Sequence, residues 1–379
     1  DDYIHRVMVD GRYAEATGST DLYFFVGGPN LLESARFHMW WSHPDTSHCS
    51  WRPLSGLSLS LDHRLFAYLP WAAHLHSILL FAIFAYAVCA VTREFFGLRA
   101  ATFALLCIGL AKHMFEPVGW IAARHSMLGA ALGGIAVVGF LTGEPSWRRK
   151  VWAWAALVAS LGASEGSIGV IAILIVYPLV AQHGTSSIGV RLRDSAAKGA
   201  LGLAYLGFYF ASGYGAKANA AYSSFDGGVL PTLWQVFLRF VALIGEWIFG
   251  IASSLIESPE EWRMPLAVGG LALVLLAAPT RVAWPVFDAK ERRTIVALTL
   301  AGLAALGPNL LAHVSGRLLT VSLLALMPAL AALMDGAWRA ARASRTTGAR
   351  GLAYALLAVG LFGLLIANPL HRLQAQAWA

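Results

Sequence analysis

Glu116-Pro-Val-Gly-Trp120-Ile-Ala-Ala-Arg124 puts a carboxylate, an indole and a guanidinium at the mouth of an apolar stretch long enough to enter a bilayer. Charge in such a place is costly unless it is paired within the protein or faces water, so the run reads first as a site. Asp1-Asp2, Arg52, His74, Glu165 and Arg317 are the other polar residues that fall at ends of apolar segments on the same expected face. An anionic phosphate held at a membrane boundary suits guanidinium groups, whose planar fork pairs with two of its oxygens. An acceptor hydroxyl approaching a sugar's anomeric carbon needs a carboxylate to take its proton. Aspartates beside arginines on one face would supply both functions, and that combination reads as a site for a lipid-linked donor.

Each residue also has a plainer reading. Arg317 at a helix end could snorkel to lipid headgroups. Glu165, between Ser164 and Gly166, could simply cap the helix that follows. His74 and His76 could be interfacial residues. His38, His43, His48 and Cys49 have no metal-ligand spacing, so no metal site is expected there. Convergence of segments distant in sequence favours the site over any of these taken alone.

The elements that must hold such a site are membrane helices. The 379 residues are 58% hydrophobic and 13% charged, about half the charged share of an ordinary soluble domain. Apolar stretches recur at roughly 70–91, 100–114, 118–141, 151–163, 167–181, 198–213, 229–256, 265–280, 295–313, 317–334 and 351–368. The expected architecture is an all-α, polytopic helical bundle of about 10–11 spans, with an extracytoplasmic region over 1–70 and the helical domain over 71–379. Breakers at Gly27-Gly28-Pro29 and Ser42-His43-Pro44-Asp45 mark the first region as loops with short helices. Asn30 with Glu33 could cap one of these running to Trp41. The chain opens on Asp, so a preceding membrane helix is expected upstream.

The loops 92–99, 143–150, 182–198, 281–293 and 335–350 hold 16 of the 28 Lys and Arg, which makes them cytoplasmic. The other face then receives 1–70, 113–118, 164–166, 214–264, 314–317 and the C-terminus. The stretch 229–256 has acidic flanks, Asp226 before it and Glu257, Glu260 and Glu261 after it. It therefore reads as an interfacial helix or a hairpin returning to its starting face within the outer-face segment 214–264. The net charge of +7 is accounted for by topology, and no basic stripe interleaved with aromatics points to nucleic acid. The three cysteines make no disulfide framework. The 23 Arg against 5 Lys suggest a GC-rich bacterium and hence its inner membrane, with the site on the periplasmic face.

At these residues the chain resembles the membrane glycosyltransferases of the GT-C fold, in particular the protein O-mannosyltransferase group and its tetratricopeptide-bearing relatives. Trp51-Arg52-Pro-Leu, followed by Tyr68-Leu-Pro-Trp-Ala-Ala-His74, is similar to their aromatic-Arg-Pro-Leu run ahead of a His-bearing helix. The Glu116 to Arg124 run resembles their Glu-x-Val-x-Trp-x-x-x-Arg motif. Ala163-Ser164-Glu165 resembles their Lys-Glu turn, and Ser315-Gly316-Arg317 their late Arg. The likeness runs in order through most of the chain. It departs at Ser164, where the family has Lys, and at Ser126, where an acidic residue is usual. No Tyr follows Arg317, and no tetratricopeptide part follows the membrane part.

The resemblance implies a polyprenyl-phosphate sugar as donor, which with membrane lipid is the expected partner, and reaction on the periplasmic or luminal face. Asp1-Asp2 match the carboxylate pair that contains the catalytic base. On those terms Asp2 is the base, with Asp1 the second choice. Arg124 and Arg317 hold the donor phosphate, Arg52 orders the outer loop, Glu165 orients an Arg or a sugar hydroxyl, and His74 and Glu116 support them. No cofactor beyond the lipid-linked sugar is called for, and no divalent metal is required. The alternative is a non-catalytic GT-C-like subunit associated with other proteins of a membrane complex. A transporter is disfavoured because the sequence has no inverted repeat or pair of Gly/Pro-broken helices.

Overall fold

The computed structural model describes residues 2–10, 22–26, 47–66, 69–143, 146–181, 187–217, 228–249, 263–312, 314–343 and 348. The chain is an all-α polytopic bundle and an integral membrane protein. Its helices are α1 (Asp2–Val9), α2 (Pro53–Phe66), α3 (Pro70–Leu110), α4 (Phe115–Gly119), α5 (Arg124–Leu141), α6 (Trp147–Ala163), α7 (Ile168–Ala181), α8 (Ile188–Ala211), α9 (Val229–Phe249), α10 (Arg263–Ala283), α11 (Ala289–Leu306) and α12 (Leu323–Ala343). Among the described residues, five helices are long and apolar enough to cross a membrane: Pro70–Leu110, Ile121–Leu141, Val229–Phe249, Ala289–Leu311 and Leu323–Ala343. The apolar helix Glu165–Ala181 is shorter.

The first of these is two helices. Gly97 has φ 85° and ψ 179°, a conformation that a residue with a Cβ rarely adopts. The Cys89 Sγ lies 3.7 Å from the Ala101 carbonyl oxygen. Twelve residues of unbroken helix would separate them by about 18 Å, so the chain reverses at Gly97. The expected loop 92–99 is therefore helical on both sides of one glycine.

Packing elsewhere relies on small residues that let backbones close up, as membrane helices do where apolar burial gives little drive. A Cβ at Gly169 of α7 would stand 2.7 Å from the Ala305 carbonyl oxygen of α11, so only glycine admits that approach. Helix α12 is the most enclosed of the five spans. Large apolar side chains such as Trp71, Tyr86, Trp152, Leu203 and Phe210 point outward, as a lipid-facing surface requires.

Contacts show which turns share an end. Arg99 pairs with Asp335, and Arg339 donates to Glu291 at 3.0 Å and forms an ion pair with Asp335 at 3.1 Å. Phe95 stacks on Tyr177 at 5.3 Å, and Lys198 lies 4.8 Å from the Phe140 ring centroid. Asp288 and Glu291 form a reciprocal capping box that starts α11 at this same end. The basic loops are thus gathered together. Their sidedness can be checked directly: cysteines introduced at Ser146 and Ser344 should resist an impermeant thiol reagent in intact cells, and one at Ser223 should label. Labelling at Ser146 without lysis reverses the orientation.

Two features differ from the sequence reading. A three-stranded antiparallel sheet joins β1 (Phe24–Val26), β2 (Ser47–Cys49) and β3 (Gly215–Lys217) in that order, and three-residue strands are too short to show alternation in the sequence. Val229–Phe249 is one uninterrupted helix, which removes a hairpin within those residues. Asp226, Glu257, the cap at Asn30, His38, His43 and the span at 351–368 lie outside the described residues.

Candidate functional site

A cavity of about 340 Å³ opens at the end opposite the basic loops. Its polar lining is His48, Arg52, His125, Ser126, Ser164, Glu165, Asn309, Arg317 and Thr320. Short 3₁₀ turns build it, at Ile121–Ala123 before α5, Glu165–Ser167 before α7, Gly307–Leu311 after α11 and Gly316–Leu319 before α12. Each turn ends an apolar helix at the membrane boundary, which brings residues far apart in sequence to one place.

Arg52 and Glu165 meet there as a two-pronged pair. Nε donates to Oε2 at 2.6 Å, and Nη2 donates to Oε1. The Arg52 guanidinium also lies 4.8 Å from the Tyr23 ring centroid. Arg317 is held less tightly. Its Nη1 is 3.4 Å from Glu116 Oε1, it sits 5.6 Å from the Trp120 ring centroid, and its side chain is 32% exposed. Glu116 also accepts a hydrogen bond from Ser315 Oγ. Arg317 is therefore aimed by Glu116 and Trp120 while part of its fork stays open to the cavity. His48 is pushed down to about 4, by burial first and then by the Arg52 charge, so at neutral pH it is an uncharged lining residue.

Arg124 does not line the cavity. It is 2% exposed, and its donors are spent on Asp62 (Nη1 to Oδ2), on Ser77 Oγ at 2.9 Å and on the Ala73 carbonyl at 2.7 Å. The phosphate-holding role expected of it does not fit this geometry, because it serves instead as a brace joining α2, α3 and α5. His76, rather than His74, joins this network, with Nδ1 2.9 Å from Asp62 Oδ1. Two positions along a helix differ by about 200° in direction, so of the two histidines only His76 turns toward Asp62.

Burial alone would raise the Asp62 carboxyl. The hydrogen bond from His76 and the charge and hydrogen bond of Arg124 outweigh it and hold Asp62 below the usual carboxylate range. A depressed folded-state value means that the stabilisation is present above the unfolded pKa of about 4 and is lost as pH falls through the folded value. The melting temperature of the solubilised protein should drop on acidification below about pH 4. In Asp62→Asn that part of the pH dependence should vanish.

Asp1 and the side chain of Asp2 lie outside the described residues. Helix α1, which Asp2 opens, does reach the site's edge. Its His5 ring is 5.0 Å from Tyr23, and Tyr23 in turn packs edge-on against His125 at 5.4 Å. Among the described residues no three or more His, Cys, Asp or Glu gather in a way that could hold a metal ion. Asp62, His125, Tyr23 and Asn309 were not singled out from sequence, and His76 was read there only as an interfacial residue. Asp62 had one available signal, a carboxylate at the end of the Trp51-Arg52-Pro-Leu segment just before a membrane helix.

No protein-family model and no curated protein matches the chain. Among solved structures, apo ArnT from Cupriavidus metallidurans is similar at 16% identity and a TM-score of 0.36, covering 92% of this chain and 76% of that one. That likeness is too loose to argue from.

Proposed function

We propose that the protein is a GT-C-type membrane glycosyltransferase, moving a sugar from a polyprenyl-phosphate donor to an acceptor hydroxyl on the periplasmic face of a bacterial inner membrane. The observation that carries this reading is the boundary cavity in which Arg52, Glu165 and Arg317 converge from three distant segments. A guanidinium with part of its fork open, set where a membrane helix begins, suits a phosphate whose lipid tail stays in the bilayer. The motif resemblance reaches the same donor by a separate route.

In this scheme Arg317 holds the donor phosphate and Arg52, aligned by Glu165, supports it. Asp2 takes the proton from the acceptor hydroxyl as that oxygen bonds to the anomeric carbon. The bond from that carbon to the phosphate oxygen breaks, and polyprenyl phosphate leaves with its extra charge facing Arg317. Arg124 keeps α2, α3 and α5 in register beneath the site.

The second reading, a non-catalytic subunit that keeps the scaffold, draws on Ser126 and Ser164. Both line the cavity at positions where the resembled family carries charge. Binding separates the two. Arg317→Ala should weaken binding of a polyprenyl-phosphate hexose to the protein in nanodiscs by about 10- to 100-fold, the loss of one charge-assisted contact. Arg317→Lys should lose less. Unchanged binding in Arg317→Ala, or none in the parent chain, favours the subunit.

A further inference from the structure

We infer that His125 Nε2 and Asn309 Oδ1 serve in the cavity as fixed acceptors for two hydroxyls of the donor sugar. This rests on the donor-site reading above and names two residues that meet the sugar in the same site.

The assignment comes from two backbone carbonyls, which can only accept. His125 places Nδ1 3.1 Å from the Ala122 carbonyl oxygen, so Nδ1 carries the hydrogen. In the neutral ring the lone pair is then on Nε2, the nitrogen left for the cavity that His125 lines. The same carbonyl takes a second hydrogen bond, from Tyr23 Oη at 3.4 Å, and the two rings pack edge to face. The imidazole is therefore fixed in tautomer and in orientation. Asn309 is set in the same way. Its Nδ2 donates to the Leu318 carbonyl at 2.9 Å, which turns Oδ1 into an acceptor on the cavity wall near Gly166.

The charged lining residues already have tasks in that reading. Glu165 is clamped by Arg52. Arg317 faces the donor phosphate in the scheme above. Beside the hydroxyls of Ser126, Ser164 and Thr320, the lining then offers two fixed acceptors in His125 and Asn309, and such acceptors match hydroxyl donors.

The test compares three ligands in nanodiscs: sugar-free polyprenyl phosphate, polyprenyl-phosphate hexose, and the same lipid with single hydroxyls of the hexose removed. The parent chain should bind the hexose lipid about tenfold or more tighter than the sugar-free lipid, the worth of a good hydrogen bond in a closed site. Removing one particular hydroxyl should cancel most of that gain. His125→Asn keeps a donor for the Ala122 carbonyl but has no counterpart of Nε2. It should bind sugar-free lipid as the parent does, lose the gain, and be indifferent to removal of that same hydroxyl. Asn309→Leu should repeat the pattern for a second hydroxyl. Equal binding of the two lipids by the parent overturns the inference and leaves the phosphate site standing. So does a gain that survives both substitutions. A parent chain that binds neither lipid overturns the donor-site reading itself.

Discussion

Arg124→Met is expected to cost about 3–5 kcal/mol of stability, the usual penalty for removing one partner of a buried ion pair. Arg124 is almost wholly enclosed, and Asp62 has a side chain only 6% exposed. Without the guanidinium, a buried carboxylate loses its main counter-charge. Ser77 Oγ and the Ala73 carbonyl lose their donors in the same step. Arg124→Lys keeps the charge but not the fork, so it should recover only part of the loss. In the double variant Arg124→Met with Asp62→Asn the stranded charge is gone, and stability should return toward the parent value. Melting of the solubilised proteins reads all three. If Arg124→Met melts with the parent chain, water reaches Asp62 and the brace is not one.

Asp2→Asn should lower turnover by about 10²-fold or more while leaving donor binding intact. The amide keeps the size and much of the hydrogen bonding of the carboxylate but cannot take a proton. The two carboxylates described at this end of the bundle are poor substitutes. Glu165 is clamped by both arms of Arg52, and Glu116 is shared by Ser315 and Arg317. Transfer from a polyprenyl-phosphate hexose, measured beside donor binding, separates loss of the base from loss of the site. Equal turnover in Asp2→Asn and Asp1→Asn variants and the parent chain removes the base from this pair.

The arginines and glutamates of the site were legible in sequence because charge at the end of an apolar stretch is rare and needs a reason. Arg52, Glu165, Glu116 and Arg317 were all marked on that ground, and the structure brings all four to one end of the bundle. Arg124 was marked for the same reason and placed in the wrong role. Sequence shows that a buried charge needs a partner, but Asp62 lies 62 residues away and nothing local names it. The choice between His74 and His76 depended on helical phase, which a uniformly apolar helix does not reveal. The hairpin at Gly97 was visible as a weak pair of arginines. Its tightness comes from one positive φ, which no sequence pattern measures. The small sheet was not visible at all, since its order depends on a segment near residue 216 returning to one near residue 48.

The cavity reading is tested most directly by a structure of the protein in nanodiscs with a bound polyprenyl-phosphate hexose. The phosphate should lie in ionic contact with Arg317, with the sugar in the cavity between Arg52, His125 and Asn309. Arg124 should remain buried on Asp62, and the Asp2 carboxylate should stand near the anomeric carbon. A lipid phosphate bound elsewhere, with this cavity closed by its own side chains or by another protein, would contradict it.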